Sequence, residues 1–338
     1  MRMRMFFFLV TTLSCALTTA EALADGPIIA DHTSTDLSDV PETYLEAAKT
    51  LTLHYAGTSH GTQLTEGALV LESLDPFFSI AVRTDAIEGL PPEEPNPTLR
   101  IYEGNPPEIY ITPELYWATE DGRASTRSVA STGHYNFSMW AWCTQLSWYS
   151  EDEVRTYLAT LDAFESEFPT MRFIYMTGRL DGGGSEGVLH RNNEIIRTFC
   201  RENDKVLFDF ADIERYDPNG VDYLDLGATD SCDYTGGNWA EEWCAAHPDD
   251  VLCTPNSCAH SEPLNCNLKG RALWWLMARL AGWEPEAPPA AVPVMSGGHT
   301  LSLTVLFGLA GIFAAGVRRR KRTRPSLKHM KSKRTETI

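Results

Sequence analysis

A serine between two glycines follows an apolar, strand-like run near the start of the chain. Residues 51–55 lead directly into Gly57-Thr-Ser59-His-Gly61. Glycines on both sides of a serine allow a tight turn and let backbone N–H groups approach a reacting carbonyl. The pattern makes Ser59 a candidate nucleophile for acyl transfer. The alternative is a serine in an ordinary turn at the exit of a strand.

A histidine near the other end of the chain is the candidate general base. His260 precedes a predicted closing helix over residues 271–281. A histidine that reaches the serine takes its proton during attack on an ester and returns it to the leaving alcohol. The alternative is a loop histidine packed among disulfides. His60 adjoins the serine but is expected to point to the other side, as a wall of the pocket.

Two further residues follow predicted strands and could stabilise an oxyanion. Gly104 follows a strand at 98–102, and Gln145 follows a strand at 136–142. The backbone N–H of Ser59, the backbone N–H of Gly104 and the side-chain amide of Gln145 would donate to the developing charge. Gly104 could instead be a plain turn glycine, and Gln145 could bond the backbone beside a Cys143 disulfide.

The remaining pocket candidates also lie at strand ends. His32 belongs to a polar cluster at the start of the mature chain, for which an edge strand is the alternative. Gly178 and Arg179 begin a glycine-rich loop after a buried strand at 172–176. This loop lacks the Gly-Lys-Ser/Thr ending of a phosphate-binding P-loop. We expect it to border the pocket, with Arg179 contacting the substrate.

The elements that must position these residues alternate between strand and helix. Alternation of this kind predicts a single three-layer α/β/α domain with a parallel sheet, over residues 25–284. Ligands of such sheets bind at the carboxyl ends of the strands, where the candidate residues lie. The predicted strands are 52–55, 98–102, 136–142, 172–176 and 206–210. The predicted helices are 44–49, 192–202 and 271–281. A further helix is predicted to begin with a capping box formed by Ser150 and Glu153.

The two ends of the chain carry membrane-directed signals. Residues 1–24 read as a secretory signal peptide, so that the mature chain starts at Asp25. Residues 285–300 form a Pro/Ala/Gly-rich linker with a sorting motif, and residues 301–317 are a predicted C-terminal transmembrane helix at the short limit of length. The Arg-rich tail 318–338 stays in the cytoplasm, which places the domain outside. The expected location is the periplasm or the cell surface.

The cysteines predict disulfides rather than a metal site. Five of them lie between residues 232 and 266, in a stretch that we expect to be a long loop held by bridges of undetermined pairing. Cys200, in a helical pattern, is the candidate for an unpaired buried thiol. Their spacing does not fit zinc, and Asp222, Asp225, Asp230 and Asp233 lack the spacing of an EF-hand. We expect neither a metal nor a cofactor.

The charge of the chain excludes one class of partner. Asp and Glu number 46 against 28 Lys and Arg, for a net charge of −18, and a cluster of the basic residues lies in the tail after Arg318. The exported domain is therefore strongly acidic and would repel nucleic acid and other polyanions. We expect no nucleic-acid partner.

The order of these motifs resembles that of the SGNH/GDSL hydrolase superfamily, in a secreted bacterial subfamily. That pattern has a serine after the first strand (Ser59), a glycine after the second (Gly104), a polar turn after the third (Gln145) and a histidine before the last helix (His260). The resemblance implies an SGNH fold and a Ser–His active site. The family's aspartate three residues before the histidine is Ser257 here, so the base would lack its acid or take it from Asp230 or Asp233.

The tail resembles the PEP-CTERM class of Gram-negative sorting signals, in which a membrane peptidase removes the tail. That peptidase would then be a partner of this chain. The alternative is an uncleaved membrane anchor.

These observations predict an extracytoplasmic serine esterase, a carboxylic ester hydrolase acting on acyl or acetyl groups of a carbohydrate. A first alternative is an α/β-hydrolase, although its elbow normally follows several strands. A second is a non-catalytic surface or carbohydrate-binding protein on a degenerate SGNH scaffold. The aromatic residues that could stack on sugars, with a role in the core as their alternative, are Trp140, Trp142, Trp148, Trp239 and Trp243.

Overall fold

The computed structural model describes residues 26–84 and 95–285. The predicted signal peptide, sorting motif, transmembrane helix 301–317 and basic tail lie outside these residues, as does most of the linker. Within the described ranges, no helix is both long enough and apolar enough to cross a membrane.

A seven-stranded parallel sheet forms the centre of the fold, as the alternation of elements predicted. Every neighbouring pair in it is parallel, and the order across the sheet is β1-β7-β6-β5-β2-β4-β3. Its strands are β1 Ile28–Ala30, β2 Thr52–Ala56, β3 Ile80–Arg83, β4 Leu99–Glu103, β5 Phe137–Trp140, β6 Arg172–Met176 and β7 Val206–Phe208. A separate antiparallel pair consists of β8 Asp233–Tyr234 and β9 Gly237–Asn238.

Helices flank the sheet in a three-layer α/β/α arrangement. One group packs α1 and α2 against α8, and a second packs α4 against α5, with α3 joined to α4 through the Arg127–Glu167 ion pair. The helices are α1 Glu42–Ala48, α2 Thr62–Leu74, α3 Glu120–Ser131, α4 Glu151–Glu167, α5 Val188–Glu202, α6 Phe210–Arg215, α7 Trp239–Ala246 and α8 Pro263–Leu280.

The central strands are buried because helices cover the sheet on both faces. Every residue of β2 is buried, and so is every residue of β5. This burial is typical of parallel sheets and explains why their strands read as continuous apolar runs. Trp140, Trp142 and Trp239 are almost completely buried, so they belong to the core.

Several elements differ from the sequence predictions. The strand that leads to Ser59 is the second in the chain and not the first, because β1 precedes it at the edge of the sheet. With three residues, β1 is too short to show the alternation of apolar and polar side chains that marks a strand. The stretch with five cysteines is not all loop, since α7 lies within it. The closing helix begins at Pro263, well before residue 271, because Pro is favourable at the first turn.

The cysteines are partly paired. Disulfides join Cys244 to Cys253 and Cys258 to Cys266, and Cys200 is a buried free thiol as predicted. Cys143 and Cys232 are also free, so the side chain of Gln145 does not lie beside a disulfide.

Helices α2 and α8 approach each other closely through two glycines. A Cβ added at Gly67 would lie 1.8 Å from the Cys266 carbonyl oxygen, and one added at Gly270 would lie 2.1 Å from the Gly67 carbonyl carbon. Only glycine fits at either position. This contact fixes the two helices whose N-terminal ends lie next to Ser59 and His260.

Candidate active site

The candidate residues meet where the sheet changes its direction of growth. The chain leaves β2 for β3 and β4 on one side and returns to β5 on the other side. In open parallel sheets such a switch point leaves a crevice at the carboxyl ends of the strands. Ser59 follows β2 and Cys143 follows β5, so both lie at this crevice.

A compact turn connects β2 to α2 and carries Ser59. The Gly61 N–H donates to the Thr58 carbonyl at 2.9 Å, and the Tyr55 hydroxyl donates to the Gly61 carbonyl at 2.7 Å. A Cβ on Gly61 would come within 3.0 Å of the Tyr55 hydroxyl, which explains the second glycine of the motif. Helix α2 begins three residues after Ser59, and its positive N-terminal end therefore faces the crevice.

The structure brings Ser59 and His260 together. The Ser59 Oγ lies 2.8 Å from Nε2 of His260, although 201 positions separate the two residues. His260 is exposed, and its φ of 62° is in the left-handed region. A non-glycine residue held there is strained by about 1 kcal/mol, so the surrounding loop must impose the conformation.

Two contacts hold the loop that presents His260. The Cys258–Cys266 disulfide ties the loop to the first turn of α8. On the α2 side, the Gln63 side-chain amide donates to the Ala259 carbonyl at 2.5 Å. Gln63 also accepts from Lys269, which forms a fully buried ion pair with Glu214 at 2.6 Å. The position of the base is thus coupled to the packing of α2, α6 and α8.

No carboxylate orients the His260 ring in the described part of the chain. Ser257 is exposed, and Asp233 bonds Ser231 and Asn238 instead. Asp230 lies close by but accepts from Nε2 of His60 at 2.8 Å. The His60 ring stacks on the His260 ring with centroids 4.4 Å apart. Ser59 and His260 therefore form a dyad, and the nearest acid serves the neighbouring histidine.

The oxyanion donors are only partly as predicted. Gly104 does not offer its N–H to the site, because that group donates to the Tyr55 carbonyl at 2.9 Å. In contrast, the Ser59 N–H has no partner among residues 26–84 and 95–285. Gln145 accepts from the Cys143 N–H through Oε1 at 3.1 Å, which leaves its Nε2 donor without a described partner. Ser59 and Gln145 remain the candidate donors.

The other pocket candidates divide into two groups. His60 and Arg179 both contact Asp230, with Arg179 Nε at 3.3 Å from the carboxylate, and so lie at the crevice. Gly178 is buried, and its N–H donates to the Asn193 side-chain oxygen. His32 does not join them, because it follows β1 at the far edge of the sheet.

His32 belongs to a second polar cluster. It bonds Asp212 at 2.5 Å and stacks on Tyr216. Asp31, His32 and Asp212 are the one group within the described ranges whose ligand atoms are close enough to share a metal ion. In this cluster the His32–Asp212 hydrogen bond occupies one ring nitrogen of His32 and one carboxylate oxygen of Asp212.

Cys143 also lies in the crevice, and the sequence does not identify it as a candidate site residue. Cys143 Sγ lies 3.2 Å from Nδ1 of His60. Its position directly after a strand is the same signal that makes Ser59 a candidate, but cysteines of exported proteins are expected to form disulfides. The sequence did name Asp230 as an available acid, although for the other histidine.

Comparison with known proteins adds no assignment. The chain matches no family model, no curated protein and no solved structure. The functional conclusion below therefore depends on the geometry of this crevice.

Proposed function

We propose that this protein is a serine ester hydrolase that uses Ser59 as nucleophile and His260 as general base. The observation that carries the proposal is the 2.8 Å contact between Ser59 Oγ and His260 Nε2. Its place at the switch point of a parallel sheet, next to the N-terminal end of a helix, supports it. The SGNH-type order of the motifs is a further argument for this reaction class.

The reaction would follow the usual course of acyl transfer. His260 Nε2 removes the proton of Ser59 as Oγ attacks the ester carbonyl, and the same nitrogen protonates the leaving alcohol. The Ser59 N–H and the Gln145 amide donate to the oxyanion, next to the positive end of α2. Water then releases the acid by the reverse sequence, with His260 again as the base.

The missing acid limits the rate rather than forbidding the reaction. In a full triad the carboxylate fixes the tautomer of the histidine and stabilises its protonated form. Here the stacked His60 ring and the tethered loop hold the orientation of His260. Such a dyad suits esters, whose alcohol leaving groups need less assistance than amines.

An acylated carbohydrate is the proposed substrate. Trp148 lies three residues after Gln145 and is 64 % exposed, which offers a flat aromatic surface for a sugar ring. Trp140, Trp142, Trp239 and Trp243 are buried and cannot stack on a sugar. We further propose export by the N-terminal signal and anchoring or sorting through the C-terminal tail, which would place the enzyme at the cell surface or in the periplasm.

A carbohydrate-binding protein without catalysis is the second candidate. It is favoured by the absence of an acid at His260 among the described residues and by the same exposed Trp148. It predicts binding to the polysaccharide with no turnover of any ester.

Assays of the full-length chain on two alkyl esters, triacetin and acetylated xylan, separate the two candidates. We expect turnover that falls at least about 1,000-fold in Ser59→Ala and in His260→Ala, because either change removes the activated nucleophile. Ser131→Ala, which changes an exposed serine at the last residue of α3, is the matched control and should keep full activity. Turnover that survives both changes would contradict the proposal, and xylan binding without turnover would establish the second candidate.

A further inference from the structure

A second set of catalytic side-chain types lies beside Ser59 and His260. His60 is bound on both ring nitrogens, by Cys143 Sγ at 3.2 Å and by Asp230 Oδ2 at 2.8 Å. Arg179 lies 3.3 Å from the same Asp230 oxygen. This arrangement has the order nucleophile, base and orienting acid, which defines a catalytic triad irrespective of the fold. The proposed esterase mechanism uses neither Cys143 nor Asp230.

The environment of the Cys143 thiol differs from that of the other free cysteines. Burial alone would raise its pKa, but hydrogen bonding to His60 lowers the pKa to about 7. Burial raises the pKa of Cys232 to about 12 and that of Cys200 further still. Cys143 is also the one free cysteine of the described chain that is not fully buried. A thiol with a low pKa and access to solvent is reactive.

The charges around His60 favour its role as the proton acceptor. Burial works against its protonation, but the hydrogen bonds to Asp230 and Cys143, together with the negative charges of Cys143 and Glu214, outweigh burial and raise the pKa of His60. The titratable groups that face Cys143 and His60 from neighbouring elements are Asp230, Arg179, His260, Glu214 and Lys269. Glu214 and Lys269 form a buried ion pair and largely offset each other.

We propose that Cys143, with His60 as base and Asp230 as orienting acid, is a second acyl-accepting nucleophile in this crevice and takes acyl groups from thioesters and aryl esters. This activity goes beyond the proposed esterase and does not depend on Ser59.

The covalent step is a thiol exchange at the acyl carbon. The Cys143 proton moves to Nδ1 of His60, and Sγ attacks the carbonyl carbon. The bond from this carbon to the leaving sulfur or aryl oxygen breaks, and His60 returns its proton to the leaving group. Cys143 then carries the acyl group as a thioester. Water, or an amine as acceptor, releases the acyl group and restores the thiol.

The chemistry of the leaving group sets the substrate class. A tetrahedral intermediate expels its better leaving group, and a thiolate of Cys143, with a pKa of about 7, leaves far more easily than an alkoxide. The tetrahedral intermediate that an alkyl ester forms with Cys143 would therefore expel the Cys143 thiolate and return to reactants. Alkyl esters would react at Ser59 instead. Thiols and aryl alcohols have acidities close to that of Cys143, so thioesters and aryl esters transfer their acyl group to it. The two nucleophiles would thus divide their substrates.

The test uses full-length Ser59→Ala protein and the acetyl thioester of a small aromatic thiol. Acid quenching followed by mass spectrometry of the intact chain and of its peptides locates the acetyl group. We expect one acetyl group on Cys143, with a formation rate that is half-maximal near pH 7. The adduct should disappear in Ser59→Ala/Cys143→Ala and persist with Cys200→Ala, the matched control.

The positioning role of Asp230 is tested by Asp230→Asn in the same background. Loss of the carboxylate should move the midpoint of the rate profile upward by about one pH unit, toward the ordinary thiol value of about 8.5. His60→Gln should shift the midpoint of the rate profile at least as far. If the His60→Gln protein does not fold, Asp230→Asn alone still tests the proposal. Circular dichroism establishes folding of each variant.

Two results would overturn the proposal, namely no adduct on Cys143 in folded Ser59→Ala protein, or a midpoint that Asp230→Asn leaves in place. Neither result bears on the esterase, whose own test is the turnover of alkyl esters by wild-type and Ser59→Ala protein.

Discussion

At the scale of single residues, the crevice contains two histidines with different supports. His60 is buried between a thiol and a carboxylate, while His260 is exposed and contacts Ser59. Ser59 and His260 could be predicted from sequence because each stands next to a recognisable element. The pairing of His60 with Asp230 could not, because 170 positions separate them and no local pattern links them.

Gln145 is the residue whose predicted role is the easiest to isolate. Its Oε1 accepts from the Cys143 N–H, which leaves Nε2 as the donor for an oxyanion. Gln145→Glu retains the acceptor but loses the amide donor, so we expect kcat on the alkyl ester triacetin to fall about 100-fold with little change in KM. Steady-state kinetics measure both constants.

Gln145→Met serves as the comparison, since it removes both groups at similar size. If Gln145 only shaped the backbone, the Glu variant would keep its activity and the Met variant would lose it. Equal losses in kcat for both variants are the result that we expect.

At the scale of elements, α2 and α8 act as one unit that aligns the dyad. Ser59 precedes α2, His260 precedes α8, and the two helices touch at Gly67 and Gly270. The link from Gln63 to Ala259 joins the same helices near their N-terminal ends. The distance between nucleophile and base therefore depends on how closely these helices pack.

Gly67→Ala tests this dependence, because the sign of the change in unfolding free energy shows whether the helix contact matters. In an ordinary helix interior, replacing glycine with alanine stabilises a protein by up to about 1 kcal/mol. Here the added Cβ meets the Cys266 carbonyl, so we expect a destabilisation of about 1–3 kcal/mol, together with a loss of ester turnover. Urea unfolding and kinetics measure the two effects.

Gly133→Ala provides a contrast, because a Cβ there meets no atom within 4 Å and the position lies outside the helix pair. Its positive φ of 67° makes it a strained substitution, yet it should leave ester turnover intact. An unchanged or raised stability in Gly67→Ala would show that the two helices do not need this contact.

The elements with strong local signals were the ones predicted well. Strand β6 has the predicted bounds, and the Ser150–Glu153 capping box at the start of α4 is present. Helix α2 is not predicted from the sequence, because it begins directly after the glycine-rich serine motif and has no side-chain cap at its N-terminus. Strand β1 is not predicted from the sequence, because three residues are too few to show an alternation of apolar and polar side chains. Its place in the sheet depends on pairing with β7.

At the scale of the whole molecule, a parallel sheet could be predicted but its strand order could not. The alternation of strands and helices indicates parallel pairing, whereas the order across the sheet depends on contacts between distant segments. This order places β2 between β5 and β4 and so creates the crevice at Ser59. The same contacts between distant segments decide the role of Gly104, whose N–H donates to the Tyr55 carbonyl and not to an oxyanion.

His54 makes the stability of the whole domain depend on pH. It lies fully buried on β2, between Ser138 Oγ and the Gly104 carbonyl, each at 2.7 Å. Burial lowers the pKa of His54 to about 4, from an ordinary value near 6.5. The native protein therefore holds it neutral, while the unfolded chain gains its proton below about pH 6.5. Stability is complete above that pH and declines as the pH falls toward 4.

The expected loss is about 2–3 kcal/mol between pH 7 and pH 4.5, since each pKa unit corresponds to 1.36 kcal/mol. His54→Gln, which does not titrate, should reduce the difference in unfolding free energy between these two pH values by that amount. Urea unfolding at both values measures it. The exposed His134→Gln is the control, and an identical pH dependence in His54→Gln and wild type would refute this account.

The central claim is that Ser59 is a nucleophile activated by His260, and covalent labelling with a fluorophosphonate tests it most directly. Activated serines react with this reagent, whereas ordinary surface serines do not. Peptide mapping by mass spectrometry should find one phosphonyl group per chain, on Ser59, with a labelling rate that falls at least about 100-fold in His260→Ala. A chain that hydrolyses alkyl esters without acquiring the label on Ser59, or that labels equally fast in His260→Ala, would contradict the assignment.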